Sequence, residues 1–173
     1  ADALNGVVDL TSQATTDNDG SSIQGNEIWG LPSTAGQKLY FEARFQMSDV
    51  DQMDMFIGVT ENFASAPENI FTASNRIGFQ IDDGDATPHL ITESGDSETD
   101  TTLSGTTYDL SDATDVTVSF VATKGTTTDK VKFYINRTLV GTHTTNVPTD
   151  NMTQAAAEIS GNATGTKSMS IDY

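Results

Sequence analysis

The stretch "KLYFEARFQM", residues 38–47, decides the fold. Leu39, Phe41, Ala43, Phe45 and Met47 occupy every second position, with Tyr40, Glu42, Arg44 and Gln46 between them. Side chains on a strand alternate between its two faces, so this run predicts a strand with one buried and one wet face. The same alternation returns along the chain. Met53, Met55, Ile57 and Val59 carry it in "MDMFIGVT", and Ile77, Phe79 and Ile81 in "NRIGFQID". Val116, Val118, Phe120 and Ala122 follow in "DVTVSFVAT", then Val131, Phe133 and Ile135 in "KVKFYIN", and Met169, Ile171 and Tyr173 in "KSMSIDY". Polar turn clusters separate these runs: "TTDNDGSS", "LPSTAGQ", "DDGDATP", "ESGDSETD", "KGTTTD" and "SGNATGT". Short strands with polar turns between them predict an all-β, two-sheet antiparallel sandwich, each sheet with one wet face.

Three segments need separate treatment. "ENFASAPENIF" predicts one helical turn, with Ser65 as cap, Pro67 in the first turn and Glu68 near its positive end. "TQAAAEIS", 153–160, has alanines that favour helix by propensity, but its place between a Pro-containing loop and "SGNATG" favours a strand. "YINRTLV" reads as a hairpin turning at Asn136-Arg137-Thr138, since Asn tolerates the left-handed backbone that such turns need. With 173 residues and no compositional break, the chain reads as a single domain over 1–173. A chain of this size buries about 70% of its unfolded surface and needs no covalent staple. Phe41, Phe45, Ile57, Phe79, Phe120, Phe133 and Ile171 are the expected core.

Charge and composition exclude several functions. There are 25 acidic residues against 8 Lys plus Arg, a net charge of −17. Such a chain is repelled by phosphate, so nucleic acid and anionic membrane surfaces are not expected partners. No apolar run reaches the length of a membrane span. No cysteine is present, which removes disulfides, thiol nucleophiles and thiolate zinc sites.

The order of "KLYFEARFQMS", "FIGVTE", "RIGFQIDDGD", "VTVSFVATKG", "KVKFYINRTLVGTHTTNVPTD" and "SMSIDY" resembles the concanavalin A-like jelly roll of legume lectins, laminin-G-like domains and laminarinase-type glucanases. More narrowly, it resembles lectin-like domains in structural proteins of tailed bacteriophages. That resemblance implies a virion structural protein that decorates or stabilises a capsid, with capsid or other virion proteins as partners, at the virion surface. It leaves room for a homo-oligomer. The alternative is an extracellular carbohydrate-binding module for host or surface glycans.

Catalysis is not expected from the residues. The glucanase resemblance implies a Glu-x-Asp-x-(x)-Glu arrangement on one strand, which aims two carboxylates into one cleft. The nearest match, Asp49, Asp51 and Asp54 in "DVDQMD", has odd spacing and no glutamate. Glu42 has no second carboxylate in matching register. His89 and His143 lack identifiable partners and read as exposed, and no serine sits in a nucleophile-elbow pattern. The chain is therefore expected not to be an enzyme. Sugar sites usually stack an aromatic ring on the ligand. Trp29, the single tryptophan, and Tyr40 are the candidates for that role. Asp82, Asp83 and Asp85 crowd a turn around Gly84 and offer the hard oxygens that Ca²⁺ takes. The competing reading is an Asp-Gly turn whose side chains bond nearby backbone N–H groups. Asp17, Asn18 and Asp19 are a second metal candidate without an EF-hand's terminal glutamate. No cofactor is required, and Ca²⁺ is compatible. Asn136, Asn151 and Asn162 head N-x-[ST] sequons of the kind that arise by chance in a Thr-rich chain.

Overall fold

A computed structural model describes residues 6–13, 19–31, 33–63, 66–103, 108–161 and 165–172. The strands are β1 (Val7–Thr11), β2 (Gly20–Gln24), β3 (Trp29–Gly30), β4 (Lys38–Met47), β5 (Met53–Thr60), β6 (Asn75–Ile81) and β7 (His89–Ser94). They continue as β8 (Ser97–Thr102), β9 (Val116–Thr123), β10 (Lys130–Ile135), β11 (Thr138–His143), β12 (Asn151–Ser160) and β13 (Ser168–Asp172). One sheet has the order β1-β13-β4-β9-β10-β11. The other runs β2-β12-β5-β6-β7-β8, with β3 paired to β12. Each described pairing is antiparallel. The all-β two-sheet sandwich expected from the alternation is the observed architecture.

The core lies where the two inner faces meet. Phe45, Ile57, Phe79, Phe120, Phe133 and Ile171 are buried in it. Phe133 sits at its centre, edge-on to Phe79 with centroids 5.5 Å apart and tilted against Phe120 at 6.2 Å. Burying such a side chain contributes about 1.5–3 kcal/mol. Phe41 departs from expectation: it stacks on Phe120 at 5.1 Å but is only half-buried. Among the described residues β13 pairs with β4 only from Arg44 to Met47, so no described strand flanks Phe41 on that side.

Local chemistry explains the connections. Asn136 and Arg137 both have positive φ, 48° and 68°, so the β10–β11 hairpin closes through these two residues. A bulge between Phe133 and Tyr134 carries its second arm on to His143. "TQAAAEIS" is strand, part of β12 between β2 and β5, because pairing on both sides overrides alanine's helix propensity. The expected helical turn is a 3-10 helix over Pro67–Thr72, and Ser65 lies outside the described residues. So do Asp17, Asn18 and Asn162.

The outer face of the seven-stranded sheet is not uniformly wet. Phe56, Ala155 and Ala157 lie on it and are covered by Phe63, Ile70 and Phe71 from the segment after β5. This second apolar cluster fixes the loop against the sheet and makes one wall of the site described next. No helix among the described residues is long and apolar enough to cross a membrane.

Candidate functional site

Strand parity defines the site. On β5 and β6 the odd-numbered residues enter the core, so Asp54, Phe56, Gly58 and Thr60 face outward beside Arg76, Gly78 and Gln80. Gly58 and Gly78 are register partners. A Cβ on Gly58 would run into the Ile77 carbonyl, and one on Gly78 would meet the Phe56 ring. The two glycines let the strands close up and let that ring lie across the sheet. Gly58→Ala is expected to cost about 1–3 kcal/mol through this overpacking. Chemical denaturation measures it, and a loss below about 0.5 kcal/mol would mean the strands yield freely.

A polar network crosses β6, β7 and β8 on this face. Arg76 is buried, donates to Glu93 at 2.6 Å, pairs with Glu98, and donates to the side-chain Oε1 of Gln80 at 2.9 Å. Its guanidinium also lies 5.9 Å from the Phe56 ring centroid. Gln80 passes the chain on, donating to Asp82 at 2.6 Å. His89 Nε2 is 3.8 Å from the other Asp82 oxygen, and its Nδ1 is 3.0 Å from Asp100. Carboxylates thus stand on both sides of the imidazole and set its orientation.

Next to this network, Asp54, Glu68, Phe71, Gln80, Asp82 and Ile159 line a cleft of about 380 Å³. The ladder explains the meeting. Ile159 is the register partner of Asp54 on β12, and Met55 pairs with Ile81, so Asp82 falls opposite Asp54 one step further on. Two carboxylates placed opposite each other on neighbouring strands repel and are destabilising. Asp54 also accepts the Asp83 backbone N–H at 2.8 Å, which ties the turn after β6 to β5. Glu68 comes from the first turn of the 3-10 segment and lines the same cleft. Carboxylates and a carboxamide are directional partners for hydroxyl groups, and the Phe71 ring supplies an apolar face.

The residues singled out in the sequence are placed as follows. Asp82 is in the cleft, but Asp83 and Asp85 are not in its lining. Asp85 accepts the Thr87 N–H at 2.9 Å, and its bonds to Thr87 hold its carboxyl below the usual value. Asp85 N–H donates to the Asp82 carbonyl at 3.0 Å, and Gly84 has φ +85°, so the segment is the hydrogen-bonded Asp-Gly turn. No group of three or more acidic or histidine side chains forms a metal cage among the described residues. Trp29 is half-buried against the core at the β12 edge of the seven-stranded sheet. Tyr40 is 64% exposed on β4 of the other sheet, with Lys38 Nζ 6.0 Å from its ring centroid. The two aromatics are therefore not brought together. Asp49 is bound to Lys167 at 2.6 Å, away from Asp54. The sequence suggested exposed histidines, and the structure corrects this: the His89 side chain is largely covered and His143 is buried. His143 is buried between the sheets, 2.9 Å from Thr92 and 3.0 Å from Thr101, and burial lowers its pKa.

No family model matches the chain, and no curated protein matches its sequence. Solved structures do match its shape. A β-1,3-1,4-glucanase (lichenase) from a mouse hindgut metagenome superimposes with a TM-score of 0.67 at 10% identity, over 96% of this chain and 77% of that one. An endo-1,3-β-glucanase from Streptomyces sioyaensis gives 0.62 at 14% identity, over 88% and 67%. A Bacillus licheniformis β-glucanase gives 0.57 at 12% identity, over 96% and 75%. The chain folds as a concanavalin A-like jelly roll. The expectation that the chain is not an enzyme is corrected by these neighbours, which are mostly glycoside hydrolases and lyases. That expectation came from searching one strand for a contiguous carboxylate motif. The acids that line the cleft come instead from β5, the turn after β6 and the 3-10 segment. The resemblance to phage virion proteins, with its capsid partners, has no support among these structures.

Proposed function

We propose that this chain is a glycan-recognising jelly-roll domain that holds a polysaccharide on the outer face of its seven-stranded sheet. The observation that carries the reading is the cleft where Asp54, Glu68, Asp82 and Gln80 converge beside Phe71. The acids and the amide would accept and donate to sugar hydroxyls, while Phe71 and Ile159 would pack against the apolar faces of a pyranose. The Arg76–Gln80–Asp82–His89 network fixes the Asp82 carboxyl in advance, so little side-chain freedom is lost on binding. The β-glucan substrates named for the structural neighbours are the first ligands to try.

Calorimetric titration with soluble β-1,3- and β-1,3-1,4-glucan oligosaccharides tests this. Saturable binding is expected, weakened tenfold or more by Asp82→Asn and by Phe71→Ala, and unchanged by Trp29→Ala. Binding insensitive to both cleft variants, or none at all, would sink the reading.

The three carboxylates favour a second reading, cleavage of the bound glycan. Glycosidases need one carboxyl to protonate the leaving oxygen and another to act on the sugar carbon or on water. Asp54, Asp82 and Glu68 line one cleft. Release of reducing ends that Asp54→Asn and Asp82→Asn each lower at least a hundredfold would establish it.

A further inference from the structure

We propose that His143 is a proton-operated clip on β8, through which acid loosens the cleft's hold on its glycan. The clip stands on the seam between the two sheets, and its effect on glycan rests on the recognition role proposed for the cleft. β8 is an edge strand, laddered only to β7. Leu103 N–H donates to the Pro88 carbonyl at 3.0 Å, so in the same phase Thr99 and Thr101 direct their backbone groups at β7. Their hydroxyls meet the end of β11 and the loop after it. Thr101 Oγ1 is 3.0 Å from His143 Nε2. Thr99 Oγ1 is 2.8 Å from Thr145 Oγ1 and accepts from Asn146 Nδ2 at 3.0 Å. Thr92 of β7 joins them, 2.9 Å from His143 Nδ1 and 3.1 Å from the Thr145 carbonyl. These bonds close the sandwich where the edge strand of one sheet lies beside the edge strand of the other.

The seam fixes where the imidazole proton sits. A carbonyl only accepts, so the single Thr92 hydroxyl proton goes to Thr145. Thr92 Oγ1 therefore accepts from Nδ1–H, and Nε2 accepts from the Thr101 hydroxyl. A second proton must enter at Nε2. There it reverses the Thr101 bond and places a cation on a residue only 4% exposed. The side chains that touch the ring are uncharged: Thr92, Thr101 and Phe133. His89 and Glu93 on β7, Glu98 and Asp100 on β8, and Lys130, Lys132 and Tyr134 on β10 all have the outward parity. Burial lowers the pKa below the ordinary 6.5, and the charge of Asp100 opposes it only in part. The stabilising contribution is thus complete above 6.5 and is lost as pH falls through the depressed value. Water reaches the new cation by parting β8 from β11, and β8 is an edge strand whose residues are mostly exposed. The outer face of β8 carries Glu98, the partner of Arg76, and Asp100, 3.0 Å from His89 Nδ1. His89 Nε2 in turn lies 3.8 Å from Asp82 of the cleft. Movement of β8 would free the groups that set Asp82.

The test follows the full chain from pH 7.5 to 5. NMR reports the titration of the His143 ring, amide exchange the protection factors of Thr99 and Thr101, and calorimetry the affinity for a soluble β-1,3-1,4-glucan oligosaccharide. Protection at both amides and glucan affinity should each fall at least tenfold, with the midpoint of the His143 ring. His143→Gln keeps a donor and an acceptor without a titrating group, and should hold both quantities within about twofold over the same range. Should that variant not fold, coincidence of the three midpoints in the wild type decides the matter. A ring that stays neutral down to pH 5, or protection that persists while it titrates, would overturn the clip. Loss of protection that follows the His89 ring instead would do the same. Protection lost with glucan affinity unchanged would overturn the coupling and leave the recognition role standing. Absence of glucan binding at pH 7.5 would overturn the recognition role and the glycan release together, while amide protection would still decide the clip.

Discussion

Phe133→Ala should lower the stability of the domain by about 3–5 kcal/mol. The side chain is fully buried and touches rings from both sheets: Phe79 at 5.5 Å, Phe120 at 6.2 Å and His143 at 5.0 Å. Removing it deletes the contact that joins the two layers and leaves a cavity that rigid strands cannot close. For a chain of this length the loss corresponds to a fall in Tm on the order of 10 °C. Leu139→Ala is the control, because Leu139 is 49% exposed in the hairpin arm and should change stability by less than about 1 kcal/mol. Urea denaturation of both variants measures the difference. Equal effects would mean that Phe133 is not the link between the sheets.

Glu158→Gln should stabilise the protein above pH 7 by up to about 3 kcal/mol and make stability less dependent on pH. Glu158 lies on β12 with the parity of Ala156, so it points between the sheets, and it is wholly buried. Neither carboxyl oxygen has a hydrogen-bond partner of good geometry. Burial raises its pKa from 4.5 to about 7, and Asp19 adds to the rise, while the Ser12 hydroxyl and the Ser21 backbone partly oppose it. The sign follows from linkage. The folded state holds this proton more tightly than the unfolded chain, so the stabilising contribution is complete below pH 4.5 and is lost as pH rises through about 7. The difference between wild type and Glu158→Gln should therefore grow between those limits and level off above them. Denaturation midpoints at pH 4, 6 and 8 would show it, and a difference that stays constant with pH would refute the assignment.

How much of this was legible beforehand depends on whether a feature is local. Period-two alternation placed the strands from "KLYFEARFQM" to "KSMSIDY", because parity is set residue by residue. Phe41 was read as core, and its half-exposure could not be foreseen, since it depends on which strands flank β4 and not on the alternation within it. The cleft was hidden for the same reason. Asp54 lies on β5 and Asp82 just past the end of β6, so their place in one cleft depends on the β5–β6 register rather than on spacing within a motif. One signal was available: both share the parity of the outward residues of their runs. Phe56 gave a similar hint, being a large apolar residue at an outward position, yet only the fold shows that the segment after β5 covers it. His89 and His143 read as exposed because their carboxylate and hydroxyl partners come from strands that are distant in sequence or unrecognised there, such as β8.

The order of the strands has a kinetic consequence. β12 lies between β2 and β5, and β13 between β1 and β4, so each of these two strands is inserted between strands made much earlier. During synthesis β1 and β2 must wait for their sheet partners until β13 and β12 have left the ribosome. Such non-local closure is slow, and it leaves sticky edges open in the meantime. The strong negative charge, spread along the nascent chain, would keep those waiting segments apart from their neighbours.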